Sequence, residues 1–99
     1  MEQIKRIKTM ERSLDRASQA VMKFSAALDD YAEAQADIRQ LETYYGSNEW
    51  RKDFADDELG LLPKDLKRGV LSEDGIWNVL VNNQELKTRM REIAAKILE

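Results

Sequence analysis

The chain has 99 residues, which is the size of one domain with one core. It is 42% hydrophobic and 35% charged, with four glycines and one proline, too apolar for disorder and too poor in turn residues for a many-stranded fold. Cysteine and histidine are absent, which excludes disulfides, thiolate metal sites, thiol nucleophiles, the serine triad and imidazole metal ligands, and the net charge of −3 argues against binding nucleic acid.

The opening MEQIKRIKTMERSLDR is basic like the start of a secretion signal, but no apolar run follows and Glu11 and Asp15 interrupt it. No stretch approaches the roughly 18 apolar residues that a membrane span requires. The expectation is a soluble, cytoplasmic protein without cofactor or small-molecule ligand. Charge is unevenly spread: residues 1–28 carry 6 basic and 3 acidic groups, residues 29–62 carry 3 basic and 10 acidic. Such a gradient steers a partner or sets the direction of self-association, although a charge run is commonly just a solvated face.

From Glu2 to Tyr45 there is neither glycine nor proline, and apolar residues recur three and four apart. One heptad series is Ile7, Leu14, Val21 and Leu28; the second is Met10, Ala17, Phe24, Tyr31, Ile38 and Tyr45. This predicts an amphipathic helix over about 2–45, roughly 65 Å long, with Gln35 breaking the first series and Ile4 and Leu41 extending the stripe. Gly46 is expected to end it in a left-handed conformation, and Ser47 to cap a short helix over about 48–56. That helix sets Trp50 and Phe54 on one face, so an aromatic cluster with Tyr44 and Tyr45 is expected.

Residues 57–72 hold the only proline and two of the glycines and form the connector. Its six leucines and valines make it too apolar for a loose linker, so it is expected to pack down, with Pro63 opening a single turn through Lys64, Asp65 and Leu66. Ser72, followed by Glu73 and Asp74, is a capping signal for a last helix over about 73–98. Its expected buried line is Ile76, Val79, Leu80, Leu86, Met90, Ile93 and Ile97, interrupted by Asn83, an amide that either fixes register on an apolar seam or turns to the solvent edge.

The densest acidic cluster, Asp53, Asp56, Asp57 and Glu58, lacks the alternating ligands and central glycine of a calcium loop. Asp30 with Glu33 and Asp53 with Asp56 are the carboxylate pairs available to a magnesium-dependent, all-helical nucleotide pyrophosphatase, but both depart from the glutamate-rich pattern of such enzymes. Lys64, Lys67 and Arg68 ahead of Gly69 lack the spacing of a phosphate loop.

The run IKRIKTMERSLD, then LETYYGSNEWRKDF, then DELGLLPKDLKRGVLSEDGIWNVL resembles a bacterial family of unknown function, DUF 4298, over nearly the whole chain. Its most specific parts are YYGSNEWRKDF and LPKDLKRGVLSED. The resemblance implies a small stand-alone cytosolic protein and carries no reaction with it. It also singles out Trp50, Asp53, Asp65, Lys67, Arg68 and Gly69, which fall in those stretches.

The fold expected is all-α: an elongated antiparallel helical hairpin or three-helix bundle with a very long first helix, a short middle helix and a C-terminal helix in one domain, residues 1–99. The function expected is a non-enzymatic interaction or self-associating module, its partner a protein or a second copy, with Tyr44, Tyr45, Trp50, Phe54 and Asn83 joining the residues above as interaction candidates. The alternatives are the magnesium hydrolase and an inhibitor docking its connector on another enzyme.

Overall fold

The computed structural model of the chain describes residues 1–98. Helix α1 spans Glu2–Tyr45, α2 Asn48–Glu58 and α3 Gly75–Ile97, with one 3-10 turn at Gly69–Leu71 and no strand among the described residues. The all-α class, the very long first helix and the short middle helix are as the periodicity predicts. No helix among the described residues is long and apolar enough to cross a membrane. The chain divides into two compact units, Met1–Gln35 and Ala36 onward, and α1 contributes to both.

The first unit is helix alone. An uninterrupted run of helix-tolerant residues keeps α1 continuous, yet every side chain from Met1 to Asp30 is exposed. The expectation that neighbours within the chain shield this part of the stripe is therefore corrected. At 1.5 Å per residue the 44 residues of α1 rise about 66 Å and the 23 of α3 about 35 Å, so α3 is too short to clothe the full length of α1. Toward the end of the unit, Tyr31, Ala34 and Gln35 become half-buried. Gln35, the polar break in the first series, turns its Nε2 onto the Tyr31 carbonyl at 3.1 Å. Its amide is thus satisfied on its own helix.

The second unit holds the core, with Leu71 and Ile76 as its buried apolar residues. Ile38, Leu41, Tyr44 and Tyr45 of α1 are half-buried at helical spacing. The 3-10 turn is the element that both α2 and α3 approach closely. In α3 the inward line is Ile76, Leu80, Asn83, Lys87, Met90 and Ala94. Val79, Leu86, Ile93 and Ile97, expected to be buried, stay 40% exposed or more. Both lines have helical spacing; the one that turns inward runs through Asn83, which is buried and engaged, and no buried side-chain nitrogen or oxygen among the described residues lacks a partner.

The helix ends follow local chemistry. At the end of α1, Ser47 is extended (φ −95°, ψ 161°), its hydroxyl donates to the Tyr44 carbonyl at 2.6 Å, and its Oγ accepts the Trp50 N–H at 3.2 Å. One serine closes one helix and caps the next. Gly46 does not take the expected left-handed conformation; that belongs to Gly60, at φ +72°. Gly60 ends α2 in a Schellman motif, with Leu61 N–H on Asp56 O and Gly60 N–H on Asp57 O, both at 3.0 Å.

Candidate interaction surfaces

Around the junction of α1 and α2 the aromatic residues meet as their spacing predicts. Trp50 stands edge-on to Tyr45, with ring centroids 5.0 Å apart, and stacks on Phe54 at 5.1 Å. Tyr44 takes a different part: its hydroxyl donates to Asp53 Oδ2 at 2.6 Å. Burial raises the Tyr44 phenol to about 12, reinforced by that hydrogen bond and by the negative charges of Asp53 and Glu49. Asp53, a member of the weak magnesium set, thus has one carboxylate oxygen engaged by a phenol.

The connector is fastened at three places. The Trp50 indole donates to the Val70 carbonyl at 2.9 Å, across twenty residues of sequence. Arg68 pairs with Asp57 at the end of α2 and also donates to the carbonyls of Pro63 and Leu66. The Pro63–Leu66 turn is closed by the Leu66 N–H on the Pro63 carbonyl at 3.2 Å, as the single turn after Pro63 predicts. The third clasp is at Ser72, whose hydroxyl donates to Gly69 O at 2.7 Å and accepts the Gly75 N–H at 3.0 Å. Here α3 opens at Gly75 rather than at Glu73, because Ser72 bridges the 3-10 turn to the helix start.

Gly75 has no room for a side chain. A Cβ there would stand 2.4 Å from Gly69 O and 2.6 Å from Ser72 Oγ, whereas at Gly69 nothing lies within 4 Å. What Gly69 supplies is its carbonyl. Asp65 and Lys67, which the family motif singles out, remain exposed, and Lys67 edges an apolar depression formed by Leu41, Val70, Ile76 and Val79.

The connector packs down only in part. Leu71 is buried and Leu62 half-buried, but Leu59, Leu61, Leu66 and Val70 stay 40–72% exposed. A chain of three short clasps holds the backbone without requiring each leucine to turn inward. The pairing of Asp57 with Arg68 was legible as opposite charges flanking Pro63; the Val70 carbonyl under Trp50 had no sequence signal, since any residue supplies a carbonyl.

The other surface lies on the first unit. Ile7, Met10, Leu14, Val21 and Phe24 are 51–69% exposed along one heptad stripe, with Leu28 at 43%. The residues that flank the stripe from Ser13 to Ala27 include Ser18, Ala20 and Ser25, all small, so no long charged side chain shields it. Ser13, Ala17 and Ala20 line a shallow depression there. The carboxylate pair Asp30 and Glu33 is exposed on the same unit, and no group of three or more histidine, cysteine, aspartate or glutamate residues among those described is placed to hold a metal ion.

Fold and surface define a class: an all-helical protein with a clasped helical unit and a bare amphipathic arm. The domain of unknown function DUF4298 matches residues 7–93, and the chain belongs to that family. Neither the curated proteins nor the solved structures give a match.

Proposed function

We propose that this chain is a non-enzymatic, cytosolic helix-interaction module whose N-terminal arm docks on another helix. The observation that carries the reading is the open stripe from Ile7 to Leu28 on a helix otherwise regular for over six turns. Full burial of a side chain of this kind contributes about 1.5–3 kcal/mol, so covering residues that are half to two-thirds exposed still contributes on the order of 1 kcal/mol each. Contiguous apolar surface of this size on a protein marks a contact. The absence of cysteine from the sequence fits a reducing compartment.

The test is a pair of variants off the core. Leu14→Asp with Phe24→Asp is expected to abolish whatever protein association the wild type shows, its own copies included, while Ile97→Asp on exposed α3 surface leaves it intact. Association that survives the arm variant in sedimentation and affinity capture would sink the reading. A second reading, in which the connector docks on another protein, draws on the exposure of Leu59, Leu61 and Leu66; Leu61→Ser separates the two, because it leaves the arm untouched.

A further inference from the structure

We propose that the occupant of the arm is the arm of a second copy, paired antiparallel about Gln19; this rests on the module reading above. In an antiparallel pair each residue of one heptad series comes level with a residue of the other series on the partner helix. With the two-fold axis at Gln19, Met10 comes level with Leu28 of the second copy, Leu14 with Phe24 and Ala17 with Val21. All six are on the stripe, and the large exposed ones among them are Met10, Leu14, Val21, Phe24 and Leu28.

Side-chain volume favours this direction. A parallel, in-register pair sets Ala17 against Ala17 and Phe24 against Phe24, leaving a void two turns from a crowded layer. Mirroring about Gln19 gives each small residue a larger mate. The small Ser18 and Ala20 next to the axis then let the helices approach where the depression over Ala17 and Ala20 already lies.

Charge selects the same register. Lys5 comes level with Glu33 of the second copy, Lys8 with Asp30 and Asp15 with Lys23, and every other charged residue from Glu2 to Glu33 comes level with an uncharged one. No like charges meet at one level. In the parallel arrangement every charged residue meets its own copy, and the basic turn of Lys5, Arg6 and Lys8 faces its twin. The carboxylates Asp30 and Glu33 thereby acquire a role as electrostatic partners, and all of these groups are on exposed positions of the unit.

The experiment combines sedimentation equilibrium with spin-label distances on the full chain, whose lack of cysteine permits single labelling. Labels at Glu2→Cys are expected about 50 Å apart, because residue 2 lies level with residue 36 of the second copy at 1.5 Å per residue; labels at Gln19→Cys, at the axis, are expected within about 20 Å. Leu14→Asp with Phe24→Asp is expected to weaken the dimer at least 100-fold. Lys8→Asp is expected to weaken it several-fold, with Asp30→Lys in the same chain restoring it, a swap at exposed positions that leaves the fold alone. A dimer with Glu2 labels close together overturns the antiparallel register. A monomer at high concentration overturns self-pairing altogether; if the wild type but not the arm variant then retains a different protein, the module reading stands with another occupant, and if neither retains one, both fall.

Discussion

Gly46 and Gly60 occupy like places in the sequence, each just past an amphipathic helix, but only Gly60 has a positive φ. An L side chain in that conformation costs about 1–2 kcal/mol, so Gly60→Ala is expected to lower stability by about that much in urea denaturation. Gly46→Ala, whose new Cβ would meet only Glu42 O at an ordinary 3.8 Å, is expected to be neutral or to stabilise by up to about 1 kcal/mol. The sequence signal for a helix stop was correct at both glycines; the backbone geometry was not, because Ser47 makes the first break by leaving the helix itself. Tyr44 offers a second residue-level prediction. Its phenol ionises near 12 in the folded chain and near 10 when unfolded. The folded state therefore holds the proton more tightly, and the stability this represents is present below pH 10 and lost as pH rises from about 10 to 12. In an ultraviolet titration one tyrosine is expected to ionise late, and Tyr44→Phe to remove that late step; Asp53→Asn is expected to bring it earlier.

Among the elements, the connector shows where sequence reading succeeds and where it stops. The turn after Pro63 and the capping role of Ser47 follow from residue chemistry within four positions of each other, and both were readable. The clasp of Arg68 on Asp57, Pro63 and Leu66 joins the end of α2 to the 3-10 turn, and it needs the three-dimensional path of the chain. So does the choice of inward face in α3: Ile76, Asn83 and Met90 lie on one line and Val79, Leu86 and Ile93 on the next, and hydrophobicity alone favours the second. The Asp57–Arg68 side chains are 19% and 37% exposed, so the ion pair itself contributes at most about 1 kcal/mol. Arg68→Ala also strips two carbonyls of a donor and is expected to cost about 1–2 kcal/mol. Arg68→Lys is expected to recover little, since one ammonium cannot span the three acceptors in the guanidinium's planar fork. Denaturation midpoints of the two variants check this, with a full rescue by lysine counting against the clasp.

At the scale of the whole molecule, the two units rest on different sources of stability. The second has a buried core and clasps, whereas the first is a helix whose side chains up to Asp30 meet only water in the single chain. The sequence revealed the stripe but could not say that its N-terminal part goes uncovered within the chain, because periodicity reports an apolar face and not what lies against it. A lone helix of this length is held by intrinsic propensity and i,i+4 neighbours, which sustain it only marginally in water. Amide hydrogens of residues 5–28 are therefore expected to exchange many-fold faster than those of Tyr45 and Trp50 in dilute solution, and to slow as concentration rises into the range where arms pair. The same linkage makes the unfolding temperature climb with concentration, since pairing stabilises the folded chain by mass action. Hydrogen exchange at two concentrations tests both halves of the argument at once: uniform protection along α1 in the dilute sample would mean that the arm is stable without a cover, and protection indifferent to concentration would leave the stripe without a mate of its own kind.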